Sequence, residues 1–210
     1  MLITFEGGAG VGKTTLIDSL ERELKAQGYE VVKAREPGGT KLSERIRELL
    51  LDKGLTGSIC QRSELLLFLA ARAQQLEEVI VPALEAGKIV LCDRFNDSSL
   101  SYQGYGRQGE LATVEKLCKL TCDGLTPDLT LFLDLDPEIG LQRSHKRGNG
   151  TDRIDQEKLV FHQRVRHGMQ EIAKNEPERV VTLDAVLPPD AVFRQALRIV
   201  EARLELKVKN

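Results

Sequence analysis

Gly7-Gly8-Ala9-Gly10-Val11-Gly12-Lys13-Thr14 decides how this chain is read. The stretch fits G-x-x-x-x-G-K-[ST], a loop whose glycines let the backbone curl until several N–H groups face one phosphate. Its flanks agree with it. Residues 2–5, Leu-Ile-Thr-Phe, form a short apolar run. After the loop, Leu16, Ile17, Leu20 and Leu24 share one helical face, and Gly28 supplies a stop. A buried strand, a glycine loop and a helix N-terminus make an anion site from backbone and dipole. Lys13 is expected on the β and γ oxygens of a nucleoside triphosphate, and Thr14 is expected to offer its hydroxyl to Mg²⁺. A glycine-rich turn that matches by chance is the bland alternative.

Working outward, further short apolar runs occupy 30–34, 89–92, 129–133 and 180–183. They are continuous rather than alternating, as strands covered on both faces of a parallel sheet should be. Long periodic segments separate them. Residues 62–86 carry Leu65, Leu69, Leu76, Ile80 and Leu84 at helical spacing, with Pro82 expected to kink or end the helix. Another helix is expected after Arg153, through Leu159, His162, Val165, Met169 and Ile172. The last is expected from Pro189. This alternation predicts a three-layer α/β/α fold with a five-stranded parallel sheet and right-handed crossovers, with ligands beyond the C-terminal strand ends. The run Ile89-Val90-Leu91-Cys92-Asp93 ends in a carboxylate suited to hold Mg²⁺, directly or through water; a capping role for Asp93 is the alternative, and the two can coexist.

Composition narrows the function. The 210 residues are 41% hydrophobic and 30% charged, enough for a core and too apolar for disorder. That length suits one compact domain, 1–210. A net charge of −2 argues against a nucleic-acid partner. No run reaches the length of a membrane span, and the N-terminus has no basic leader, so a cytoplasmic location is expected. Cys60, Cys92, Cys118 and Cys122 have no matching second pair of zinc ligands and are read as reduced thiols.

A signalling GTPase is the first rival, but neither its D-x-x-G nor its N-K-x-D element is present. Arginines stand instead where a second anion could sit: Arg35, Arg47, Arg72, Arg94, and the cluster Arg143, Lys146, Arg147 and Arg153. A triphosphate facing a phosphorylated acceptor brings about six negative charges together. Guanidinium forks and Mg²⁺ are the expected answer to that repulsion.

Several further stretches resemble the bacterial thymidylate kinases, P-loop enzymes that phosphorylate dTMP to dTDP with ATP. They are Phe5-Glu6-Gly7, Arg35-Glu36-Pro37-Gly38-Gly39-Thr40, Phe68-Leu69-Ala70-Ala71-Arg72, the block from Asp93-Arg94-Phe95 through Ser99, Tyr102, Gln103 and Gly104, and Asp152-Arg153-Ile154-Asp155. The resemblance implies that Gly7, Gly8, Ala9, Gly10, Val11, Gly12, Lys13, Thr14 and Thr15 bind ATP. It implies that Thr14 and Asp93 serve Mg²⁺. Phe68 would stack on thymine, and Arg72, one turn on, would hydrogen-bond its exocyclic oxygen. Arg47 and Arg94 would hold the dTMP phosphate, Glu36 and Pro37 would line its pocket, Ser99 and Gln103 would contact the base, and Tyr102 would crowd the 2′ position. A short mobile lid at about 143–155 would bring Arg147 and Arg153 to the transferring group, joining Lys13 and Arg94 as catalytic residues. The resemblance also implies a homodimer and a place in dTTP biosynthesis. A kinase of another nucleoside monophosphate is the alternative, since Ala9 stands where the family usually has an acid that meets the sugar 3′-OH.

Overall fold

The computed structural model describes residues 1–146 and 152–208. Five parallel strands form one sheet in the order β2-β3-β1-β4-β5. They are β1 (Leu2–Glu6), β2 (Val31–Arg35), β3 (Ile89–Asp93), β4 (Leu129–Asp134) and β5 (Val180–Asp184). The three central strands are buried almost throughout, as their unbroken apolar runs require. The two edge strands are only half covered, because each lacks a neighbour on one side.

Side chains alternate between two cores. Ile3, Phe5, Leu91 and Leu131 face the helices α1 (Lys13–Ala26) and α9 (Pro189–Val208), which supply Leu16, Leu20, Leu24, Ala196 and Val200. Leu2, Val90 and Cys92 face the opposite layer, together with Ile80, Ala83 and Phe95. Helix α2 (Lys41–Leu51) starts at Thr40, whose Oγ1 accepts from the Ser43 N–H at 3.1 Å.

Helix α3 (Gln61–Gln75) passes through one wide π-helical segment, Leu76–Ile80, into the short α4 (Val81–Glu85). Pro82 therefore acts as expected: it cannot donate a backbone bond, the coil widens just ahead of it, and the helix ends three residues later. Helix α5 (Asn96–Ser99) runs into a second π-helical segment, Leu100–Gly106. Helices α6 (Leu111–Thr121), α7 (Pro137–Lys146) and α8 (Leu159–Asn175), with a 3₁₀ turn at Lys53–Leu55, complete the helical elements among the described residues.

The strand order reverses at β1, between β3 and β4. A crevice opens outside the carboxyl ends there, as doubly wound sheets dictate. The register sets Phe5 and Arg35 level with Asp93, so the chain leaving β1, β2 and β3 enters the same space.

Candidate active site

The loop after β1 is built by backbone conformations that side chains oppose. Gly10 has φ 67° and Gly12 φ 99°. A Cβ on Gly10 would lie 2.0 Å from the Gly140 carbonyl of α7, so the glycine also lets that helix press onto the loop. Lys13 Nζ donates to the carbonyls of Gly7 and Gly8, at 3.1 and 3.0 Å, and braces the curl from inside. Burial, helped by the nearby positive Arg94, lowers the Lys13 ammonium to about 8. Beneath the loop Glu6 accepts from the backbone N–H groups of Phe95 and Ser98 and from the Ser98 hydroxyl. Burial, reinforced by Asp97, raises its carboxyl to about 7.

Gly10, Val11, Gly12, Lys13 and Thr14 form one end of a continuous cleft. Glu36, Pro37, Arg47, Phe68, Arg72, Tyr102 and Gln103 line much of the remainder, with Ser98 and the chain at 152–155 beside them, and Asp93 and Arg94 lie between. Arg94 is held at φ 74°, a left-handed conformation that a non-glycine residue adopts only where its surroundings enforce it. Its N–H is bonded to the Phe5 carbonyl, its guanidinium covers the Tyr102 ring at 4.9 Å, and Nη1 donates to Ser98 Oγ. Arg47 donates Nη1 to the Pro37 carbonyl at 2.9 Å.

Arg72 is 2% exposed and its fork is already engaged. Nε donates to Glu36 Oε2 at 2.7 Å, Nη1 to Asn96 Oδ1 at 2.7 Å, and Nη2 to the Phe95 carbonyl at 3.0 Å. Glu36 leaves its other oxygen, Oε1, buried without a partner among the described residues. Burial raises this carboxyl, with Arg72 opposing.

The expected residues divide into those the fold brings together and those it does not. Phe68 and Arg72 do share the cleft wall, as their one-turn spacing requires. Ser99 does not join them: it is 2% exposed and turns toward Cys118 of α6, while its neighbour Ser98 lines the cleft. One residue along a helix is a rotation of about 100°, enough to exchange the two. Arg153 is the larger correction. It sits behind the wall, 4% exposed, donating Nη2 to Glu64 Oε2 at 2.7 Å and Nε to the Leu50 carbonyl at 2.8 Å. A guanidinium bound by a buried carboxylate is an anchor for the chain at 152–155 and is not aimed at a phosphate. Arg147 lies outside the described residues.

Gly8 and Ala9 face a small hollow beside His162, Asp134 and Arg166 rather than the cleft. Thr15 faces a second, outer pocket with Gly10, Gly12, Arg143, Lys146 and the turn from Ala185 to Pro189. Arg143 donates Nη1 to the Ala185 carbonyl across this pocket. The β5–α9 turn carries no motif; only its position after a strand end, beside the loop, marks it.

The donor set near the loop fits Mg²⁺. Asp93 Oδ1 is buried without a hydrogen-bond partner among the described residues, and Thr14 lines the same cleft. No group of three or more His, Cys, Asp or Glu is gathered among the described residues, so this is not an all-protein metal cage. One carboxylate and one hydroxyl beside phosphate oxygens suit an ion that retains waters.

A triphosphate loop that opens onto a second recess, with an arginine at the junction and an aromatic ring at the far end, defines a P-loop nucleotide kinase. Its relatives make this particular. The family model described as Thymidylate kinase matches residues 5–196. The thymidylate kinase of Desulfovibrio desulfuricans is 49% identical over 210 residues, covering 97% of this chain and 96% of the relative. That of Protochlamydia amoebophila is 48% identical over 205 residues, covering 95% and 91%. The crystal structure of thymidylate kinase from Ehrlichia chaffeensis is 34% identical and superposes with a TM-score of 0.76, over 96% of this chain and 98% of that one. The chain belongs to the thymidylate kinase family.

Proposed function

We propose that the cleft seats ATP and dTMP end to end, with Lys13 and Arg94 at the phosphates' meeting point. The observation that carries this reading is the continuity of the cleft: one cavity runs from Gly12 and Lys13, past Asp93 and Arg94, to Phe68 and Gln103. Family membership fixes the reaction as phosphoryl transfer to dTMP, giving dTDP.

The acceptor is a phosphomonoester whose second pKa is about 6, so its oxygen is already anionic near neutral pH. No protein base is required. The chain's work is to bring two polyanions together and hold them in line. Backbone N–H groups of 10–14 and Lys13 neutralise the donor phosphates. Arg47 and Arg94 clamp the acceptor phosphate, and Arg94, fixed by its strained backbone and by Tyr102, is presented without reorganisation. Phe68 offers a ring for stacking, and Tyr102 narrows the space beside the sugar. Thr14 and Asp93 would hold Mg²⁺, which would neutralise charge on the donor phosphates. The outer pocket, with Arg143, Lys146 and the 185–189 turn, suits the base and ribose of ATP.

A homodimer fits the apolar side chains left exposed on α2 and α6, Leu42, Leu49 and Leu120 among them. Analytical ultracentrifugation reads the mass directly. No helix among the described residues is long and apolar enough to cross a membrane. A cytoplasmic location suits an enzyme that draws on ATP.

Coupled ADP release across dTMP, dUMP, dCMP, UMP and AMP tests the whole reading. It expects turnover to be greatest with dTMP and to depend on Mg²⁺. Equal rates with AMP would overturn the acceptor assignment.

A further inference from the structure

Behind the base end of the cleft lies a carboxylate that no part of the transfer mechanism uses. Glu64, on α3, is 1% exposed and does not line the cleft. It accepts from Arg107 Nε and Nη2, both at 3.0 Å, from Arg153 Nη2 at 2.7 Å, and from Gln103 Nε2 at 3.1 Å. Burial alone would push this carboxyl up, but the bonds from Arg107, Gln103 and Arg153 outweigh it and hold it below the usual carboxylate range. Glu64 is therefore ionised and can only accept.

That has a consequence for Gln103, which does line the cleft. A carboxamide has an NH₂ end and a carbonyl end. An ionised carboxylate takes only the NH₂ end, so the other end is left to face a ligand. We propose that Glu64 is a specificity-determining positioning residue: it holds the Gln103 amide from behind so that a carbonyl oxygen meets the pyrimidine. Such a wall accepts a ring N–H, as at N3 of thymine or uracil. It opposes the lone pair at N3 of cytosine, leaving two acceptors facing each other. The proposal rests on the reading of the cleft as the dTMP site.

The test is Glu64→Gln, which keeps the side chain's shape but can donate or accept, freeing Gln103 to turn over. The ratio of kcat/KM for dTMP to that for dCMP should fall about tenfold, while the dTMP-to-dUMP ratio holds, because both carry N3–H. A merely structural role lowers every acceptor alike, and an unchanged dTMP-to-dCMP ratio overturns the proposal. Gln103→Met separates the two levels: if it leaves the ratio unchanged, Gln103 does not read the base and the site reading itself fails there. Should Glu64→Gln not fold, a crystal structure of the unaltered chain with dTMP decides. Pyrimidine N3 beside one end of the amide, with Glu64 still on the other, is expected; Gln103 swung off Glu64 overturns the proposal.

Discussion

The phosphate end of the cleft comes from one turn of chain: Lys13 braces carbonyls five and six residues away. The wall behind the base end is assembled from distant pieces, since Glu64 meets Gln103 39 positions on and Arg153 89 positions on. The first works through backbone N–H groups, which any sequence carries provided glycines permit the curl. The second works through buried ion pairs, where each charge depends on the others for its partner. Two arginines show the difference. Arg94 is at the junction of the cleft, in a strained conformation, with its guanidinium over a tyrosine ring. Arg153 instead gives Nε to the Leu50 carbonyl and Nη2 to Glu64. One is arranged for a ligand and the other for the fold.

Replacing each arginine in turn breaks this contrast most directly. Arg94→Ala should cost about 3–4 kcal/mol of transition-state stabilisation, read as a fall in kcat/KM for dTMP with little change in melting temperature. Arg153→Met should do the reverse. It leaves Glu64 with Arg107 and Gln103 only, and chemical denaturation should show a loss of about 2–3 kcal/mol of stability. A variant of Arg153 that folded as well as the parent but lost turnover would return this residue to the chemistry.

The smallest effect sharpens the phosphate end alone. Lys13 is lowered to about 8, so in the free enzyme it loses its charge as pH rises through that value. The sign follows: kcat/KM for ATP should hold below pH 8 and decline above it, approaching about tenfold per pH unit. Bound phosphate favours the charged form, so kcat at saturating ATP should decline only at higher pH. Coinciding profiles would mean that Lys13 does not meet the donor phosphates.

Much of the site was legible because its motifs are local. The strand, loop and helix around 7–14 can be read from neighbours in the chain, and so can the one-turn pairing of Phe68 with Arg72. Ser98 and Ser99 cannot be told apart in the sequence, because no helical phase can be fixed inside the short α5 and the π-helical segment that follows it. Arg153 departs from its expected place for a different reason: in a basic, glycine-bearing stretch an anchored arginine and a free one look alike until a partner is known. The 185–189 turn carried no residue type that marks a nucleotide pocket.

By itself the sequence determined the five strands, the helices after the loop, at 62–86, after Arg153 and from Pro189, the phosphate cradle and the supply of cations, because hydrophobic period and glycine placement act over a few residues. Only the tertiary structure decided which cation meets a ligand and which meets a carboxylate. That choice depends on which side chains share a desolvated space, and Glu64, Gln103 and Arg153 come to share one only when α3, the π-helical segment after α5 and the chain at 152–155 have packed together.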